Sequence, residues 1–129
     1  MTRFDFSLVV GSILTFVSYM LGGFDSSLQT IFIFIILDFI TGILKAYKNK
    51  ELSSLKCFYG IVRKMLYFIL IIVAVHVDKL VETNNVFRTC VIYMLIANEG
   101  ISILENLGKM GVPIPKKLLE KLESLNEKE

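Results

Sequence analysis

The chain has 129 residues, 54% of them hydrophobic and 20% charged, with a mean hydropathy of +0.65 and a formal net charge of +2. The apolar residues are concentrated: 19 residues from Phe6 to Phe24 include a single charge-free run broken by none, and 19 from Ser26 to Leu44 carry only Asp38. Runs of about 20 residues cross the roughly 30 Å hydrocarbon layer as helices, which argues against a soluble domain; if four segments of that length lie in the membrane, too little chain is left for a soluble catalytic domain of about 50 residues, and the two cysteines, Cys57 and Cys90, do not make a disulfide scaffold.

The expected fold is an all-α membrane protein, with three spans as the alternative to four. Span one covers about 6–22 after a short start carrying Arg3. Its length, and the lack of a small-x-small site after it, favour a span over a signal peptide. Gly22, Gly23, Asp25, Ser26 and Ser27 then form a turn with candidate helix caps, and span two runs about 28–46. Within span one, Gly11, Thr15, Ser18 and Gly22 recur every three or four residues, a small-residue stripe that lets helices approach closely. It serves packing within one subunit or contact between subunits.

Span two places Asp38, Thr41, Gly42 and Lys45 on one face. A carboxylate at that depth must be paired, wetted or protonated. Lys45 is about 10 Å further along the axis, so a partner elsewhere or a bound proton is expected.

After span two, the segment 47–64 interleaves Leu52, Leu55, Phe58, Tyr59 and Val62 with basic residues. It reads as an interfacial amphipathic helix on the inner membrane surface, attracted to anionic lipid through Lys45, Lys48, Lys50, Lys56, Arg63 and Lys64. Span three is expected over about 65–81, with Lys79 reaching the interface. Span four, about 86–108, is the most polar. Asn98, Ser102, Glu105 and Lys109 share one flank, with Glu99 and Asn106 beside it, suiting either a solvated interface or the lining of a lumen. Gly108, Gly111, Pro113 and Pro115 end it. A tail, 109–129, follows, with a leucine stripe of Leu118, Leu119, Leu122 and Leu125 that fits a solvated helix.

Basic residues orient the chain, because loops that retain Lys and Arg stay in the cytoplasm. Four crossings with both termini inside put 12 of the 14 on one side, leaving only Lys79 and Arg88 outside. Three crossings would send the five basic tail residues outward, so four is favoured. Cys57 and Cys90 then lie at opposite faces. His76, the only histidine, reads as a packing residue, since metal sites need several convergent ligands. No phosphate loop or nucleophile motif is present, so neither enzyme chemistry nor a cofactor is expected.

Two blocks carry a resemblance. The first is Asp38, Phe39, Ile40, Thr41, Gly42, Ile43, Leu44, Lys45 and Ala46, followed by Ser54, Gly60, Arg63 and Lys64. The second is the run Ala97, Asn98, Glu99, Gly100, Ile101, Ser102, Ile103, Leu104, Glu105, Asn106 and Leu107, then Gly111, Val112, Pro113, Ile114 and Pro115. In this order and spacing, over about 31–122, the chain resembles the phage-lysis and toxin-secretion holin family. Span one carries none of these motifs.

The resemblance implies a small bacterial inner-membrane protein of a phage, prophage or toxin locus. Such a protein accumulates, assembles with copies of itself and abruptly permeabilises the cytoplasmic membrane, letting an endolysin or a large toxin leave. It implies no catalytic residue, and the chain points to no nucleic-acid partner. Asp38, Thr41, Gly42, Asn98, Glu99, Ser102, Glu105 and Asn106 are the expected interhelix or pore-facing set. The competing reading is a small proton- or ion-coupled transporter, because buried carboxylates such as Asp38 and Glu99 are what proton relays use.

Overall fold

A computed structural model describes residues 2–127. Five helices follow in chain order: α1 (Arg3–Met20), α2 (Ser26–Lys48), α3 (Ser54–Val81), α4 (Val86–Lys109) and α5 (Lys116–Glu127). The fold is all-helical, and α1 to α4 are each long and apolar enough to cross a membrane. At 1.5 Å per residue, α2 and α4 span about 35 Å and α3 about 42 Å. All three exceed the roughly 30 Å hydrocarbon layer.

The helix starts follow capping chemistry. Thr2 and Asp5 form a reciprocal capping box at α1, Asp25 accepts from the Leu28 amide at α2, and Ser53 accepts from the Lys56 amide at α3. Each side chain satisfies an amide that the first helical turn leaves unpaired. The ends use left-handed residues: Lys50 just beyond α2, Glu82 closing α3, and Gly111 after α4, at φ of 57°, 53° and 91°.

The basic amphipathic segment expected as a separate surface helix is instead the beginning of α3. Ser53 starts one helix that continues to Val81. No proline intervenes, and a lone glycine, Gly60, is tolerated within a helix at modest cost. This continuity matters, because it turns the end of the basic segment inward along with the rest of α3.

Helix α4 is the hub. It packs against α2 over most of its length and also against α3 and α5, whereas α2 and α3 meet over a few residues. The core between α2, α3 and α4 comprises Leu28, Ile31, Ile71, Val75, Ile92, Leu95 and Ile96, joined by Leu21. Helix α1 has no buried residue. Within the small-residue stripe, Gly11 and Thr15 are exposed, and a Cβ at Gly11 would meet no atom within 4 Å. Gly22, assigned to that stripe, lies beyond the end of α1 in a left-handed turn at φ +82°. Its missing side chain makes room for Arg88, whose Nε would lie 2.6 Å from a Cβ.

The tail helix also differs from the expected solvated element. After the turn containing Pro113 and Pro115, α5 folds back along α4. Leu122 closes over Gly100, where a Cβ would lie 2.9 Å from Leu122 Cδ1 and 3.2 Å from Phe34 Cε2. Leu125 lines a cleft with Ser26, Ser27, Thr30, Tyr93 and Ile96.

Glycine at 100 is thus what lets α5 lie close. Overpacking such a contact typically costs about 1–3 kcal/mol, so Gly100→Val should loosen α5. In micelles, tryptic cleavage after Lys121 is expected to accelerate about tenfold, as local opening becomes easier. An unchanged cleavage rate would show that α5 does not depend on this contact.

Candidate interhelix polar site

Two polar clusters lie among the packed helices, separated along α3 by the 14 residues from Lys64 to Asp78, or about 21 Å. The deeper one answers the question posed by Asp38. Lys64 Nζ of α3 donates to Asp38 Oδ2 of α2 at 2.8 Å and also to Glu99 Oε2 of α4. Asn106 of α4 donates to Thr41 Oγ1 at 3.0 Å and to Asp38 Oδ1 at 3.3 Å. The Thr41 hydroxyl in turn donates to the Leu37 carbonyl at 2.8 Å. One ammonium and two carboxylates, tied by an amide and a hydroxyl, therefore join three helices.

Lys64 was expected on the inner membrane surface with the other basic residues. That placement is corrected: its side chain is 14% exposed and points into the bundle, because it belongs to the continuous helix α3 and is drawn to the carboxylates of Asp38 and Glu99. Of the remaining basic set, Lys45 is half-buried, and Lys48, Lys50, Lys56 and Arg63 are exposed.

A cavity of about 480 Å³ adjoins the triad, lined by Arg63, Tyr67, Asn98, Ser102 and Glu105 in addition to the ion-pair residues. The candidate polar residues thus divide. Asp38, Thr41, Glu99 and Asn106 are held between helices, whereas Asn98 and Glu105 are exposed on α4 and Ser102 is half-buried. Gly42 lies beside Asn106, with a Cβ position at van der Waals distance, 3.8 Å from Asn106 Nδ2.

The second cluster was not anticipated as a site. Arg88, with a side chain only 4% exposed, donates from Nε to the Leu21 carbonyl at 2.7 Å and from Nη2 to the Gly23 carbonyl at 2.9 Å. It also holds both oxygens of Asp25, at 2.7 and 3.2 Å. The planar guanidinium fork suits this multiple recognition. Asp78 of α3 accepts from the Phe87 and Arg88 amides at 2.9 and 2.8 Å and from the Thr83 hydroxyl at 2.6 Å. It supplies the N-terminal cap of α4 that Asn85 does not. Arg88 read from sequence as an interruption; the clue was a cation one turn into an apolar helix, with a glycine turn and a carboxylate at the head of another helix.

Among the described residues, no group of His, Cys, Asp and Glu could hold a metal ion. His76 is exposed, and its Nδ1 lies 2.9 Å from the Ile72 carbonyl.

The model of the bacteriophage holin family matches residues 15–127. The chain belongs to the bacteriophage holin family. It is 46% identical over 87 residues to a probable holin of Bacillus phage phi105, covering 67% of this chain and 64% of that one. A Clostridium perfringens protein described as a 14.9 kDa product of the nagH 3' region is 44% identical over 115 residues, 88% of this chain and 87% of its own. The Bacillus subtilis protein YqxH is 39% identical over 112 residues, 86% and 79% of the two chains. No solved structure matches. Family and helices together make this holin family member a multi-pass membrane protein.

Two predictions follow from the clusters. Removing one partner of a buried ion pair is expected to cost about 3–5 kcal/mol, whereas replacing the whole set is far milder. Lys64→Met should therefore strongly destabilise the bundle against denaturant in micelles, and Asp38→Asn, Lys64→Met and Glu99→Gln combined should recover most of the loss. At the other end, the Arg88 guanidinium holds the Asp25 carboxyl at about 2, below its usual 3.8. The resulting stability is present above the ordinary carboxylate range and is lost as pH falls through about 2. Asp25→Asn should flatten the stability profile between about pH 4 and 2, and an unaltered profile would count against the clamp.

Proposed function

We propose that this holin family member assembles with copies of itself in the bacterial cytoplasmic membrane and opens lesions that release an endolysin or a large toxin. The observation that carries the reading is the family match across most of the chain, including the phage phi105 relative. The protein acts without catalysis, and both termini lie on the cytoplasmic side. The distribution of basic residues supports that orientation.

Size supports assembly. A folded enzyme of about 200 residues has a radius of gyration near 16 Å and a diameter of about 40 Å. A hole that wide has a circumference of roughly 130 Å, about 13 helix widths of some 10 Å each. One subunit cannot enclose it.

Helix α1 offers the surface for neighbours. Its stripe of Gly11, Thr15 and Ser18 includes no buried residue, and small residues drive helix association in lipid. The paired set Asp38, Lys64, Glu99, Asn106 and Thr41 keeps its polar groups off lipid while the subunit is intact, and Asp38, Lys64 and Glu99 also border the polar cavity beside them. Anionic lipid at the inner surface meets Lys48, Lys50 and Lys56.

Controlled expression with a co-expressed cell-wall hydrolase is the test. Growth should stop abruptly, with collapse of the membrane potential and release of a large cytoplasmic enzyme. Selective uptake or efflux of a small solute with the potential intact would instead support the transporter reading.

A further inference from the structure

Helix α5 poses a problem that the other helices do not. Folded back from the inner end of α4, it carries Leu122 to Gly100, nine residues or about 14 Å from that end. Leu125 reaches the cleft beside Ser26, Ser27 and Thr30, at the outer end of α2. Thus α5 occupies membrane depth. Its two faces differ in chemistry: Leu119, Leu122 and Leu125 are half-buried, whereas Lys117, Glu120, Lys121 and Glu123 are exposed, with Leu118 exposed at the edge of the leucine stripe.

A face bearing four charges cannot be turned to hydrocarbon. Elsewhere the exposed surface is strongly apolar, with Phe6, Ile13 and Phe16 on α1, Ile33 and Ile36 on α2, and Ile69 on α3. A subunit with apolar flanks and one charged flank at the same depth has the surface chemistry of a wall between lipid and water.

We propose that α5 is the water-facing wall of the assembled lesion, seated by its leucine stripe along α2 and α4 and presenting Lys117, Glu120, Lys121 and Glu123 to the aqueous lumen. The proposal rests on the lesion-forming reading above. It assigns the lumen to the tail helix, whereas the buried triad of Asp38, Lys64 and Glu99 holds the subunit together behind it. In an intact membrane with no water at that depth, α5 lies at the cytoplasmic surface and takes its seat when the lesion forms.

The distinguishing experiment uses the full chain with Cys57→Ser and Cys90→Ser, carrying Thr30→Cys and Leu125→Cys. A tail in the cytoplasm holds the second cysteine on the opposite side of the membrane from the first. Intramolecular disulfide formation in cell membranes is measured before and after lesions open, with the single-cysteine chains as controls and release of a large cytoplasmic enzyme as a separate readout. The expected result is a disulfide that forms within one chain only when lesions open. Lesions without this cross-link, a cross-link solely between chains, or one already complete in intact membranes would overturn the assignment of α5 while leaving lesion formation standing. Failure of the unsubstituted chain to release enzyme after insertion would overturn both.

Discussion

A charge inside a bilayer must find its partner within the protein, and this constraint organises the bundle. Asp38, Lys64 and Glu99 come from three different helices, and none can satisfy the others unless all three helices are in place. Hydrophobic burial cannot supply this specificity, because lipid is as apolar as the side chains it surrounds and apolar helices gain little from choosing one another. The ionic contact therefore acts as a register mark. It fixes how far α2, α3 and α4 slide, while the Asn106 amide bonded to Thr41 ties α2 to α4 beside it.

The second cluster does the same work at the other end with different chemistry. Arg88 reads two backbone carbonyls and one carboxylate, so it recognises the shape of the turn after α1 as much as its charge. Asp78 sets the start of α4 and thereby aims that guanidinium. With both ends of α4 anchored, the helix becomes the rigid element around which α2, α3 and α5 pack. Helix α1 is joined to it chiefly through the turn, apart from Lys79 Nζ lying 4.7 Å from the Tyr19 ring centroid.

Much of the fold was legible because membrane helices announce themselves by length and charge-free runs. Spans at 28–46 and 86–108 match α2 and α4 within two residues at each end. The demand of Asp38 for a partner was legible too, since Lys45 lies too far along the same helix. The partner was not, because Lys64 sits among surface-seeking basic residues and only the uninterrupted course of α3 turns it inward. Arg88 was hidden for a related reason: a residue whose partners are mostly backbone carbonyls leaves no pattern of matching side chains. The fold-back of α5 seats Leu122 against Gly100, one small residue in a helix already crowded with polar ones, and that seat appears only when Leu122 and Phe34 are seen to meet there.

These features describe a chain whose buried charges are paired across its helices and whose exposed surface is divided between apolar and charged faces. Pairing of Lys64 on α3 with Asp38 on α2 and Glu99 on α4 holds these three helices together. Charge reversal tests it most directly: Asp38→Lys and Lys64→Asp are compared singly and together for membrane accumulation of folded protein and for enzyme release. Each single change should abolish both, and the exchanged pair should restore both, since a cation at 38 again faces carboxylates at 64 and 99. An exchanged pair no better than either single change would contradict this role of the pairing.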